Sequence, residues 1–479
     1  MKSNINPDRV FAIFKELNAI PRPSHHEERV ADYLCQFAER LQLSYTRDDQ
    51  NCVVIRKPAT PGHEHAEPVV LLNHMDMVCV GMDDPLNTPI EAYEDNGWMK
   101  ARGTSLGADN GVGLAMALAV LESDTIVHGP MEVITTTNEE DGMSGASALA
   151  PDFIVGRKVI NLDSEDYDTI TTGAAGATLQ LHRIPLMRQP APKGKYRWYH
   201  ISFEGGKGGH SGVDINKGRA SAVVTSWALM QAVRQQFDFD LVSINIGEAN
   251  ASIASTADIT VCVPSGDAAE WMKAQQGEMN QWLREEYGDR EPDMHCTITK
   301  CEPQPTIICR EAFNTLMDVL EQLPQGVVKM SETMKDTVET SNNVGRVKDE
   351  ADHILVSTHT RSFVDTDMAA LSKEIADVFI AAGATSETVM TAPAWQENQH
   401  SDFLRLTSDT FQDVLGWRPR MVAMHFVLEA GFFVQKFPGI EMASIGPRIV
   451  EPHSTNERVE LSTIHDIWQV LQELLLRLA

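Results

Sequence analysis

Four short stretches of this sequence hold carboxylates and imidazoles where they could share a cation. Asn73-His74-Met75-Asp76 follows the apolar run 69–72. Asn138-Glu139-Glu140-Asp141 follows 131–136, and Asp163-Ser164-Glu165-Asp166 follows 158–162. Gly107-Ala108-Asp109-Asn110-Gly111 precedes a segment rich in Ala, Leu and Met. Acidic residues at such places are often only turn formers or helix caps. Their coincidence, with an adjacent Glu-Glu pair in one stretch, favours a shared task. Carboxylates crowded into one crevice repel each other and raise their pKa values, and divalent cations relieve the repulsion. A mixed His/carboxylate set suits zinc, and manganese or cobalt accept the same donors.

The elements that must position these groups can be read outward from them. The patterns predict strands over 69–72, 131–136 and 158–162, and a buried helix over 111–121. Val69-Val70-Leu71-Leu72 is continuously apolar, as in a strand covered on both faces. The carboxyl ends of such strands form the ligand crevice of an open α/β sheet. Ser24 and Glu27 have capping-box spacing ahead of a helical stripe, Val30, Leu34, Phe37 and Leu41. The fold class expected is α/β, with a mixed, partly parallel sheet flanked by helices. Around Pro185, Pro190, Pro192 and Gly194 the texture breaks. An α+β order follows, with helices predicted over 217–235, 267–287, 310–323 and 366–383 and strands between them. After Pro393 the α/β texture returns, and an amphipathic helix over 464–478 closes the chain. A chain of 479 residues exceeds one ordinary core. Two domains are therefore expected: a discontinuous metal-binding domain, 1–184 and 393–479, and an inserted lid/dimerisation domain, 185–392.

The totals exclude other classes. With 40 basic against 68 acidic residues the net charge is −28, which disfavours a nucleic-acid partner. No apolar stretch approaches the roughly 18–20 residues that span a bilayer, so no membrane partner is expected. The N-terminus has no apolar signal core. The seven cysteines are scattered and contain no CxxC pair. A reduced, cytoplasmic protein is the expectation.

Taken in order, His74-Met75-Asp76, Gly107-Ala108-Asp109-Asn110-Gly111, Asn138-Glu139-Glu140, Asp163-Ser164-Glu165, Gly208-Gly209-His210-Ser211-Gly212 and Glu451-Pro452-His453-Ser454 resemble the motifs of the M20 metallopeptidases. The wording around them most resembles the Xaa-His dipeptidase (aminoacylhistidine dipeptidase, peptidase D) branch. The resemblance covers essentially the whole chain. It implies a two-metal hydrolase in which Asp109 bridges two divalent ions, His74 and Asp163 complete one site, and Glu140 and His453 complete the other. It makes Glu139 the general base toward a metal-activated water. Asp76 would hold the second nitrogen of His74, and the Asp109–Asn110 peptide would be cis. It sends His210 to a substrate carbonyl oxygen in a partner subunit's site, and so implies a homodimer through the inserted domain. Arg361 ends a predicted strand, placed to grip a peptide's C-terminal carboxylate. Asn250, Glu429 and Gly431 are the remaining candidates for substrate contact. Two departures fall among these contacts. The apolar-Pro pair that follows Asn in the family is absent after Asn250, and Ala430 stands where the branch tends to have Cys.

The expected activity is hydrolysis of short unblocked peptides, Xaa-His dipeptides included. An M20-type deacylase acting on N-acyl amino acids is the alternative enzyme. A metal-dependent binding protein without catalysis is the alternative of another class, and it is disfavoured because every ligand and the base are present.

Overall fold

The computed structural model describes residues 7–398 and 400–479. They divide into two compact units. The first is Met1–Ala174, Glu397–Ala423 and Leu428–Ala479; the second is Ala175–Gln396 with Met424–Val427. The strand Gly176–Pro185 falls in the second unit, because its register partners are His353–Ser362 and Thr385–Ala392. The breakers from Pro185 onward therefore end that strand and do not mark the unit boundary.

The first unit is built on an eight-stranded mixed sheet. Its order is Ser44–Arg47, Val53–Lys57, Met131–Thr136, Val69–His74, Lys158–Asn161, Glu441–Ser444, Thr169–Ala174 and Arg420–Met424. Pairing is parallel from Met131–Thr136 through Val69–His74 and Lys158–Asn161 to Glu441–Ser444. All six residues of Val69–His74 are buried, as a central parallel strand requires. The register sets His74 beside Thr136 and Leu72 beside Asn161, so the neighbouring strands stop at one edge. The helix Ala108–Glu122 is buried from Ala108 to Leu121. Gly113 lets it approach the end of Lys158–Asn161, because a Cβ there would collide with the Leu162 carbonyl. A second, four-stranded sheet runs Ile449–Val450, Arg458–Glu460, Trp98–Ala101, Ala92–Asp95. It ties the chain leading into Asp109 to the turn that carries His453.

The capping box does not form. The Ser24 hydroxyl donates to Asp76 Oδ2 at 2.8 Å, and Glu27 Oε1 accepts the backbone N–H of Asn138 at 2.9 Å. Both side chains satisfy the floor of the acidic cluster instead of the helix Glu28–Arg40.

The second unit holds a nine-stranded antiparallel sheet. Four helices, Ala222–Gln236, Ala268–Glu286, Arg310–Gln322 and Asp365–Ala381, share one apolar core with it. The first starts later than the expected 217, since Gly218 adopts a positive φ and Ser221 is extended. In His353–Ser362, Ile354 and Val356 join this core. Alternation then sends His359 and Arg361 to the opposite face.

Candidate functional site

In the first unit, Asp109 lies between two imidazoles. Its Oδ1 is 3.2 Å from His74 Nε2 and its Oδ2 is 3.1 Å from His453 Nε2. Asp163 Oδ1 lies 3.3 Å from the same His74 nitrogen. Glu140 Oε2 lies 2.9 Å from His453 Nε2. So His74 and Asp163 gather on one side of Asp109, and Glu140 and His453 on the other. The Asp109–Asn110 peptide is cis. His453 sits at positive φ, as does Glu451, in the turn before Arg458–Glu460.

Asp76 organises the floor. Its Oδ1 is 3.5 Å from His74 Nδ1 and accepts the Glu139 N–H at 3.0 Å, while Oδ2 accepts the Glu140 N–H at 3.2 Å. One buried carboxylate thus orients an imidazole and the backbone of the Glu-Glu pair together. Glu429 is buried, and its Oε2 accepts the Thr136 hydroxyl at 2.7 Å. Its other oxygen is buried without a donor. Gly431 lies in the helix Ala430–Lys436, its N–H bonded back to the Leu428 carbonyl.

The electrostatics are those of carboxylates in excess. Burial pushes the Asp163 carboxyl up to about 7 and those of Glu165 and Glu429 up to about 8. Burial also raises Glu139 well above the carboxylate range. For Asp109 burial works upward too, but hydrogen bonds with His453 and His74 outweigh it and hold the carboxyl low. Hydrogen bonds to Asp109 and Glu140 carry His453 up to about 11. Asp163 Oδ1 and Glu140 Oε1 are buried with no hydrogen-bond donor. The ligand atoms of His74, Asp109 and Glu140 lie within 4.8 Å of one another. An oxygen-rich set with imidazole nitrogens and orphaned carboxylate oxygens fits divalent cations.

Some supporting residues escaped the sequence reading. Glu457 accepts the N–H groups of Leu106, Gly107 and Ala108 at 2.7–3.0 Å and so fixes the entry to Asp109. Arg22 is fully buried and donates to the carbonyls of Met75, Asp76 and Gly107. Neither residue lies beside a recognisable motif. Glu457 had a faint signal, an acid four residues past His453.

In the second unit, Arg361 is 3% exposed and no carboxylate of the described residues pairs with it. It donates to Ser211 Oγ at 3.2 Å and faces His210 Nε2 at 3.4 Å. His210 Nδ1 already accepts the N–H groups of Gly212 and Val213, each at 3.1 Å. Burial, then Arg361, lowers His210 to about 4, so its ring is neutral and carries its proton on Nε2. Two donors therefore point at one place, which suits a ligand oxygen. Asn250 is half-buried in a turn, with its Oδ1 buried and unpartnered.

Known proteins match this arrangement along its whole length. The model of Peptidase family M20/M25/M40 matches residues 70–477. The cytosol non-specific dipeptidase of Escherichia coli is 33% identical over 477 residues, 99% of this chain and 98% of that protein. The crystal structure of aminoacylhistidine dipeptidase from Vibrio alginolyticus superposes with a TM-score of 0.91 at 32% identity, covering 99% of this chain and 97% of that one. Aminopeptidase PepT from Bacillus cereus shares the fold at a TM-score of 0.62 and 17% identity, over 99% of each chain.

Proposed function

The chain belongs to peptidase family M20/M25/M40, and on that premise we propose that it is a metal-dependent dipeptidase hydrolysing short unblocked peptides, Xaa-His dipeptides among them. The observation that carries the reading is Asp109 shared between His74 and His453, with Asp163 and Glu140 completing the two sides. In this reading Asp109, with His74 and Asp163 on one side and Glu140 and His453 on the other, would hold two divalent ions, zinc being the metal proposed. Bound there, the ions would supply Lewis acidity and a water of lowered pKa.

The chain's own groups do the rest. Asp76 holds His74 in one orientation and fixes the Glu139-Glu140 backbone. Glu139 is left free of the ligand set by its neighbour, takes the proton of the attacking water and returns it to the leaving amine. Burial raises its proton affinity, which strengthens it as the acceptor of that proton. Arg361 is assigned to the substrate's C-terminal carboxylate, and His210 to the scissile carbonyl oxygen in a partner subunit of a homodimer. The inserted unit is then lid and dimerisation domain. Asn250, Glu429 and Gly431 are assigned to substrate contacts, and the cytoplasm is the proposed compartment.

The deacylase alternative is not favoured, because the two full-length relatives above 30% identity carry dipeptidase names. The test is Glu139→Gln. Turnover of Ala-His is expected to fall by about a thousandfold or more, as for loss of an essential general base in a concerted set. Elemental analysis should still find two metal equivalents. Residual turnover near wild type sinks the base assignment. Hydrolysis of N-acetyl amino acids in preference to dipeptides sinks the substrate class.

A further inference from the structure

Two histidines in the second unit have no task so far. His359 is 3% exposed, and neither ring nitrogen has a hydrogen-bond partner. His425 is buried, with Nε2 2.8 Å from Ser341 Oγ and Nδ1 unpartnered. Buried polar atoms are normally satisfied, and leaving several bare in one place is costly unless something fills it.

Register brings both beside Arg361. His359 and Arg361 lie two apart on one strand and so project from the same face. Opposite Arg361 is Ser341, the residue that meets His425. Opposite His359 is Asn343, whose Nδ2 donates to the Ser252 carbonyl at 2.9 Å and whose Oδ1 accepts from Gln325. Asn343 therefore leaves His359 unsatisfied. Phe363, the next residue on that face, packs against the His425 ring with centroids 5.8 Å apart. The guanidinium has no counter-charge, and each imidazole beside it keeps an unpartnered ring nitrogen that can carry its N–H.

We propose that His359 and His425 are specificity-determining residues that, with Arg361, form a three-sided cup for one carboxylate, the C-terminal carboxylate of the peptide. The proposal rests on the dipeptidase reading for the identity of that carboxylate. The guanidinium fork supplies charge and a paired approach to both oxygens. The neutral imidazoles supply N–H donors from the sides, so the cup selects a planar anion over a carboxamide, whose NH2 would meet donors on every side.

The test compares Ala-Ala with its C-terminal amide in the metal-loaded wild type and in His359→Leu, His425→Leu and His359→Gln. Loss of one hydrogen bond to a charged group predicts KM for Ala-Ala raised about tenfold in each Leu variant, with kcat within about twofold. KM for the amide should not move. His359→Gln keeps a side-chain N–H and should recover part of the loss. Equal shifts for acid and amide, or none for either, overturn the proposal. Calorimetric titration of the same proteins with N-acetylalanine and N-acetylalaninamide reads the cup without turnover. If the wild type cleaves no dipeptide but binds the acid over the amide, and the Leu variants lose that preference, the dipeptidase reading fails and the cup stands. If the wild type cleaves dipeptides and shows no preference for the acid, the cup fails alone.

Discussion

Asp76 is the residue through which most of the acidic cluster can be perturbed at once. It touches His74, receives the backbone of Glu139 and Glu140, and takes the Ser24 hydroxyl. An outer partner of a ligating histidine typically sustains 10–100-fold in metal affinity or activity. Asp76→Ala is therefore expected to lower kcat roughly 10–100-fold and to weaken metal retention, read by competition with a chromophoric chelator. Asp76→Asn keeps one acceptor oxygen and should do less damage. Wild-type metal affinity and kcat in Asp76→Ala would show that the floor is set by something else. Glu457 is a contrast in kind. It contacts no ligand side chain, yet its carboxylate gathers successive N–H groups ahead of Asp109.

At the scale of elements, the second unit contains a contact whose strength should depend on pH. His182, in the strand Gly176–Pro185, stacks on Phe379 of the helix Asp365–Ala381, with ring centroids 3.9 Å apart. Its nitrogens meet the hydroxyls of Thr358 and Ser386, each at 2.9 Å. Burial lowers its pKa from 6.5 to about 4. The sign follows from linkage: the folded ring resists a proton that the unfolded chain accepts. Its contribution is full above 6.5, is lost as pH falls from about 6.5 to 4, and is level below that, amounting to about 3 kcal/mol. His182→Leu should flatten that part of the stability–pH curve, measured by urea unfolding between pH 4 and 7. An unchanged slope in the variant removes the histidine from the account.

The same scale shows what the sequence could and could not disclose. The parallel strand before His74 was legible because a doubly covered strand must be continuously apolar, and those before Asn138 and Asp163 were legible as short, largely apolar runs whose ends carried the acids. The helix Ala108–Glu122 was legible for the same reason. The short edge strands Ser44–Arg47 and Ala92–Asp95 were not, since exposed residues dominate the first and alternate in the second. Ser24 and Glu27 misled because local spacing cannot reveal that Asp76 and Asn138 compete for them. Arg22 was invisible, and Glu457 nearly so, because their partners are backbone groups far along the chain.

For the whole molecule, two electrostatic burdens must be separated. A net charge of −28 spreads repulsion over the entire surface, and any salt at moderate ionic strength relieves it. The cluster of Asp109, Glu139, Glu140 and Asp163 concentrates charge in a buried place that bulk salt screens poorly. A cation bound only by the folded state at a thousand times its dissociation constant adds about 4 kcal/mol. In a unit of this size that is worth roughly 10 °C in thermal midpoint. Chelation is therefore expected to lower the midpoint by about this amount, and stoichiometric zinc to restore it while sodium chloride at equal ionic strength does not. Hydrogen exchange should localise the loss. Protection falls around residues 69–76, 107–111 and 158–163 and stays unchanged in His353–Ser362 of the second unit. Recovery with sodium chloride alone would assign the effect to surface charge, and the acidic cluster would then carry no resident cation.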